Sequence, residues 1–87
     1  MARYEIRIKP SAAAELEEVP NRKDRRRIVT RIRRLAEDPR PPRCQKLSGQ
    51  ERYRVRQGMY RIVYAIDDES RAVQVVRIAH RKDVYRE

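Results

Sequence analysis

The sequence predicts an α+β fold in which an antiparallel sheet packs against two N-terminal helices. Three observations predict it: apolar and charged residues alternate near the N-terminus, two later stretches have helical spacing, and three strand-like runs occupy the second half. The predicted order is β-α-α-β-β-β with a short C-terminal tail, and the helices cover one face of the sheet. The 87 residues suit a single domain, residues 1–87, with one modest core.

The first strand is predicted from Tyr4, Ile6 and Ile8, which alternate with charged residues. Pro10 is expected to end this strand, and Ser11 to cap a short helix that runs to about residue 19.

A second helix is predicted over about residues 22–38, with Pro20 closing the first helix and Asn21 as the new cap. Its apolar residues recur at helical spacing and its opposite face is strongly basic. Such a helix could lie on a membrane, but its narrow aliphatic stripe favours packing against the core. Residues 38–46, which contain three prolines, are predicted to be a stiff connector.

Three strands are predicted at about 51–57, 59–67 and 72–79, and the first two form a hairpin with its turn at Gln57-Gly58. The alternation sends Arg54, Arg56 and Arg61 to one open face and the apolar residues to the other. Long arginine side chains can extend into water and pair with acids. Because clustered like charges destabilise a sheet, three on one face favour a polyanion site instead, with phosphate as the natural ligand.

The composition supports an anionic partner, because the net charge is +10 and 19 of the 23 basic residues are arginine. Nucleic acid or an acidic protein would fit. The single cysteine, Cys44, excludes an intrachain disulfide and favours a reducing compartment, so we expect a cytoplasmic protein. No apolar run is long enough for a membrane span. One His and one Cys do not make a metal site, and no cofactor motif occurs.

The last predicted strand leads directly into His80, Arg81 and Tyr85. A histidine can transfer protons near neutral pH, an arginine can neutralise phosphoryl charge and a tyrosine can stack on a base. These are components of a metal-free ribonuclease, in which the ribose 2′-OH attacks the adjacent phosphate. For His80 alone, a structural role is an equally good interpretation.

Several segments together resemble the RelE branch of the RelE/ParE toxin superfamily: KLSG at 46–49, YRVR at 53–56, YRIVY at 60–64 and IAHRKDVYR at 78–86. The last of these favours RelE over ParE. The resemblance implies a RelE-like fold and a type II toxin that enters the ribosomal A site and cleaves mRNA there. It also implies a RelB-like antitoxin, in a hetero-oligomeric complex that binds operator DNA through the antitoxin.

By position, the resemblance implies that Arg61 and Arg81 hold the scissile phosphate and that Tyr85 stacks on the nucleotide. Arg54 and Arg56 fall where the best-studied members have active-site lysines. Because arginine stays protonated, these two are expected to be electrostatic clamps and not bases. His80 is then the candidate for proton transfer, unless the mechanism depends on orientation and charge alone. Activity is expected to be weaker than in lysine-bearing relatives.

Two other functions remain open at this point. The first is a ParE-like inhibitor that poisons DNA gyrase without chemistry of its own. The second is a fold relic that survives only in an autorepressing complex with its antitoxin. The intact tail favours the ribonuclease.

Overall fold

The computed structural model describes residues 3–47, 49 and 51–84. Its elements follow the predicted order, with a two-residue strand and a short terminal helix added: β1 Glu5–Ile8, α1 Pro10–Glu17, α2 Arg22–Arg34, β2 Gln45–Lys46, β3 Arg52–Gln57, β4 Tyr60–Asp67, β5 Ala72–His80 and α3 Arg81–Val84. The predicted α+β class, with two helices packed on one sheet, is confirmed.

The sheet has the strand order β1-β5-β4-β3-β2. Strands β2 to β5 pair antiparallel, as predicted. However, β1 pairs parallel with β5, from Glu5 opposite Ala72 to Ile8 opposite Val75, so the sheet is mixed. Two helices separate β1 from the other strands in the sequence, and a crossover connection of this length allows β1 to pair with a parallel neighbour. Alternation of residues gives no information about strand direction, which is why the sequence did not predict this pairing.

The core lies between the helices and one face of the sheet. Val55, Ile62 and Tyr64 are fully buried in it, which confirms the predicted apolar face of the hairpin. The Tyr64 hydroxyl donates a hydrogen bond of 2.7 Å to the Pro39 carbonyl oxygen. This bond ties the proline-rich connector to the centre of the sheet.

The two helix starts differ from each other. Asn21 caps α2 as predicted, because its side-chain oxygen accepts from the backbone N–H groups of Lys23 at 2.8 Å and Asp24 at 3.2 Å. The prediction for Ser11 was wrong: Lys9 is the N-cap residue of α1, without a side-chain bond, and Pro10 is inside the first turn. Proline suits that position, since its missing N–H would have no helical partner there and its φ is already helical.

The hairpin loop consists of Gly58 and Met59, because Gln57 still pairs with Tyr60. The predicted turn at Gln57-Gly58 was therefore one residue too early. Gly58 has φ of +59°, a conformation that glycine adopts without steric cost and that a tight hairpin requires at its first loop position.

A polar network fastens the connector to the turn between β4 and β5. Arg40 donates to both carboxylate oxygens of Asp68, at 3.2 and 2.9 Å, and the Tyr4 hydroxyl donates to Asp68 Oδ1 at 2.7 Å. The Arg40 guanidinium also lies 5.3 Å from the centre of the Tyr53 ring. Three parts of the chain that are far apart in sequence therefore meet at one carboxylate.

Candidate functional site

The hairpin brings Arg54, Arg56 and Arg61 to the same face of the sheet. Arg56 is directly opposite Arg61, and Arg54 is opposite Val63, so the three arginines share a face that is turned away from Val55 and Ile62. The face-sharing that the alternation predicted is confirmed.

Arg61 is the most unusual of the three, because only 6% of its surface is exposed. One of its terminal nitrogens, Nη1, is buried and has no hydrogen-bond partner among the described residues. Buried donors without partners are rare, since each costs about 1–3 kcal/mol relative to a satisfied one. Among the described residues no carboxylate pairs with this buried positive charge, and that arrangement favours an anionic ligand.

A cavity of about 780 Å³ is lined by these arginines and also by residues on the helix-covered side of the sheet, Arg31 of α2 and Gln57. Its lining contains five arginines, two glutamines and one glycine: Arg31, Arg43, Gln45, Arg54, Arg56, Gln57, Gly58 and Arg61. None of these eight residues is acidic, and within the part of the chain that the structure describes no carboxylate forms an ion pair with any of the five arginines. The volume lies within the range of small-molecule sites.

Arg31 and Arg43 were not predicted from the sequence. Arg31 comes from α2, where it lies three residues after Ile28 and four before Leu35, and therefore on the side of the helix that faces the sheet. A charged residue within an apolar stripe is the signal that could have identified it. Arg43 is at the end of the proline-rich connector, and no local pattern distinguishes it.

Gln45 on β2 orients Arg54, its partner in the pairing of β2 with β3. The Arg54 guanidinium donates a hydrogen bond to Gln45 Oε1. This bond directs Arg54 toward the β2 edge of the sheet, and its acceptor is an amide, which does not neutralise the charge of Arg54.

The structure does not bring His80 to the arginine cavity. His80 pairs with Tyr60, and their rings meet edge to face with centroids 5.5 Å apart. Side chains alternate between the two faces along each strand, so Tyr60 and His80 lie on the same face as Ile62 and Ile78, which face the core. His80 is therefore on the opposite face from Arg61. It lines a separate cavity of about 370 Å³ beside Glu15 and Glu18, and its Nδ1 accepts from the Lys82 N–H at 3.3 Å.

Arg81 is the first residue of α3, and its side chain is exposed. Its backbone N–H donates to the Met59 carbonyl oxygen at 2.8 Å, so α3 begins beside the hairpin loop. Arg81 is not among the residues that line the arginine cavity. Tyr85 lies outside the described residues.

Two further features concern cofactors and membranes. Over residues 3–47, 49 and 51–84, no three His, Cys, Asp or Glu side chains come together as a metal site would require. None of the helices in that same part of the chain has the length and apolar character needed to span a bilayer.

Comparison with known proteins identifies the family of the chain. Residues 6–85 match the family model described as the ParE toxin of the type II toxin-antitoxin system parDE. The chain belongs to the RelE/ParE superfamily of type II toxins. The toxin is 31% identical over 86 residues to the toxin RelG of Mycobacterium tuberculosis, covering 95% of this chain and 97% of RelG.

The toxin also resembles solved structures. It matches the toxin-antitoxin complex RelBE2 of M. tuberculosis with a TM-score of 0.80 and 28% identity, covering 92% of this chain and 93% of that one. The archaeal RelE-RelB complex of Pyrococcus horikoshii also gives a TM-score of 0.80, covering 93% of this chain and 97% of that one. At 24% identity, the archaeal match shows the fold alone. The resemblance to RelE seen in the sequence is therefore confirmed at the level of superfamily and fold.

Proposed function

We propose that the toxin is a metal-independent endoribonuclease that cleaves mRNA in the ribosomal A site. The observation that carries this proposal is the cavity of five arginines, in which Arg61 is buried and forms no ion pair with a carboxylate of the described residues. When the ribose 2′-OH attacks the adjacent phosphate, a bond forms from the 2′-oxygen to phosphorus and the bond from phosphorus to the 5′-oxygen breaks, which gives a 2′,3′-cyclic phosphate and releases the next nucleotide with a 5′-OH. Negative charge builds up on the phosphoryl oxygens during this exchange. Fixed guanidinium groups stabilise such charge, and their planar fork matches two phosphate oxygens at once.

The chemistry that suits this cavity is orientation and charge stabilisation. Arg54, Arg56 and Arg61 cannot act as bases, because arginine stays protonated. His80 lines a different cavity and is not among the residues that line the arginine cavity. We therefore assign no proton transfer to His80, and we expect the ribosome to contribute to that step. Arg81 and Tyr85 keep the phosphate-holding and stacking roles that the resemblance implies.

We further propose that a RelB-like antitoxin masks the toxin in the cytoplasm. RelBE2 of M. tuberculosis is a toxin-antitoxin complex, and the P. horikoshii structure is a RelE-RelB complex. With a net charge of +10, the toxin favours an acidic partner that covers its arginines. The pair would be hetero-oligomeric and would bind operator DNA through the antitoxin.

The test is primer extension on mRNA after induction of the toxin in growing cells. Wild-type toxin is expected to give cuts within codons, and these cuts should vanish when translation is stopped or the antitoxin is supplied. Arg61→Ala should abolish them. Arg7→Ala is the matched control, because Arg7 is exposed on β1, at the opposite edge of the sheet, where it pairs with Glu5.

The family model names ParE, so gyrase inhibition is measured in the same cells. Stalled gyrase cleavage complexes with intact mRNA would contradict the ribonuclease and support the ParE-like function. Growth without arrest, together with operator binding by the toxin-antitoxin pair, would instead support a relic kept for autorepression.

A further inference from the structure

The arginine cavity has two ends. At the hairpin end are Arg56 and Arg61, which face each other beside the loop residue Gly58. At the connector end are Arg43 and Gln45, with Arg54 directed toward them by its hydrogen bond to Gln45. Each end has its own arginines.

Arg31 belongs to the connector end. Burial raises the pKa of the Tyr64 hydroxyl, the Cys44 thiol adds to this effect, and the positive charge of Arg31 opposes it. Arg31 therefore lies near the Tyr64 hydroxyl, which bonds to the Pro39 carbonyl oxygen of the connector. The Nε of Arg31 is buried and, like Nη1 of Arg61, has no hydrogen-bond partner among the described residues.

The cavity is too wide for one phosphate to use all five arginines. Arg61 is on β4, Arg54 and Arg56 are on β3, and Gln45 is on β2. Neighbouring strands lie about 4.8 Å apart, so the lining backbone spans about 10 Å across the sheet. A bidentate arginine uses two phosphate oxygens, so one phosphate accommodates about two such partners.

We infer that Arg31, Arg43 and Arg54 form a second phosphate subsite, which holds the phosphate next to the one bound by Arg56 and Arg61. This inference rests on the proposed function, since it places two successive phosphates of a single RNA strand in one cavity. A strand of RNA fits better than an acidic peptide, because the eight lining residues are all arginine, glutamine or glycine. None of these eight residues has an aliphatic or aromatic side chain on which an apolar residue of a peptide would pack.

Binding of short 2′-O-methyl RNAs tests the second subsite, since these cannot be cleaved. A dinucleotide with one internal phosphate occupies only one subsite, whereas a trinucleotide with two phosphates occupies both. Loss of a charged hydrogen bond corresponds to about a tenfold loss of affinity. Arg31→Ala is expected to weaken trinucleotide binding by about tenfold and to leave dinucleotide binding unchanged.

Three further variants complete the experiment. Arg61→Ala should weaken the binding of both RNAs, and Arg7→Ala should weaken the binding of neither. Arg31→Lys should restore trinucleotide binding in part, because lysine supplies the charge without the planar fork. Circular dichroism verifies that each variant is folded, and Arg43→Ala replaces Arg31→Ala if the latter is not.

Three results would overturn the second subsite. They are an equal loss for both RNAs in Arg31→Ala, no loss for either, or wild-type toxin that binds the trinucleotide no better than the dinucleotide. A polyglutamate peptide that displaces the trinucleotide from wild type but not from Arg31→Ala would assign the connector end to an acidic protein instead. Cleavage of mRNA is a separate measurement, so failure of the ribonuclease and failure of the subsite are distinguishable.

Discussion

Arg56 and Arg61 are directly opposite each other across β3 and β4, and Arg61, the buried one, has no ion pair with a carboxylate of the described chain. Like charges in this arrangement destabilise a sheet. The toxin therefore carries a cost in folding stability at the position where its proposed ligand binds.

Arg61→Met should separate stability from activity. Methionine keeps an unbranched apolar stem and removes the buried charge, so we expect the free energy of unfolding to rise by about 1 kcal/mol while mRNA cleavage is lost. Urea denaturation measures the first quantity and primer extension the second. Arg56→Met, at an exposed position, is the control and should change stability less. A lower stability for Arg61→Met would contradict the argument.

Arg56→Lys tests whether an arginine at this position limits the rate of mRNA cleavage. Lysine can lose its proton when it is desolvated or placed near other positive charges, whereas arginine cannot. We expect a faster cleavage rate on programmed ribosomes, increasing with pH. The same substitution at exposed Arg71, in the turn before β5, should leave the rate unchanged. A slower or pH-independent rate for Arg56→Lys would indicate that the planar fork matters more than proton transfer.

Tyr64→Phe should destabilise the toxin by about 1–3 kcal/mol, because the buried Pro39 carbonyl would lose its hydrogen bond. Burial also raises the pKa of Tyr64, so the hydroxyl stays protonated and remains a donor. Tyr53→Phe is the matched control, since the Tyr53 hydroxyl accepts only a 3.3 Å bond from Arg40 at an exposed position. Chemical denaturation of both variants gives the comparison. Equal losses would contradict the assigned role of the buried bond.

Asn21→Ala and Ser11→Ala form a matched pair at the two helix starts. Asn21 accepts hydrogen bonds from two backbone N–H groups of α2, so Asn21→Ala should lower the free energy of unfolding by about 1 kcal/mol. Ser11 makes no capping bond and its loss should cost nothing measurable. Thermal unfolding of the two variants checks this prediction. A cost for Ser11→Ala as large as that for Asn21→Ala would contradict the observed start of α1.

The Arg40–Asp68 contact should make stability dependent on acid pH. The Arg40 guanidinium, followed by the Tyr4 hydroxyl, lowers the pKa of Asp68 from 3.8 to about 2. A carboxylate whose pKa is lower in the folded state stabilises it above the unfolded pKa, and this contribution is lost as the pH falls from about 4 to about 2. Asp68→Asn should therefore flatten the dependence of Tm on pH within that window.

Arg40→Met removes the larger cause of the low pKa and provides the control for this contact. It should flatten the same window, and the double variant Arg40→Met with Asp68→Asn should add little to either single change. A wild-type profile in Arg40→Met would show that another group is responsible. Asp67 contributes separately, because the Ser70 backbone N–H and, less, that of Glu69 lower its pKa.

The parts of the site that depend on the alternation of side chains along a strand could be predicted from the sequence. Alternation in YRVR and YRIVY was enough to place Arg54, Arg56 and Arg61 on one face, because the side a strand residue faces is a local property. The same alternation assigns His80 to the core face once its pairing with Tyr60 is known. That pairing depends on register across two strands, which no local pattern contains.

The remaining differences come from packing. Arg31 and Arg43 line the cavity because of where α2 and the connector lie relative to the sheet, and the bond from Tyr64 to the Pro39 carbonyl oxygen is one tertiary contact of the connector. The parallel neighbour of β1 is set by the path of the crossover. Tertiary packing determines these features, so periodicity and helix-capping residues do not predict them.

The pairing of β1 with β5 has a consequence for the order of folding. Glu5 meets Ala72, so two segments 67 positions apart (5 to 72) must find each other before the sheet is complete. Contacts this distant in sequence form late, because closing the long loop costs entropy that local contacts do not. A growing chain that has reached only residue 70 already contains the whole arginine hairpin, but β4 lacks its second neighbour and the core lacks Val73 and Val75. The hairpin therefore becomes a rigid site only after β5 has emerged, so the proposed site is not assembled until nearly the whole chain has been made.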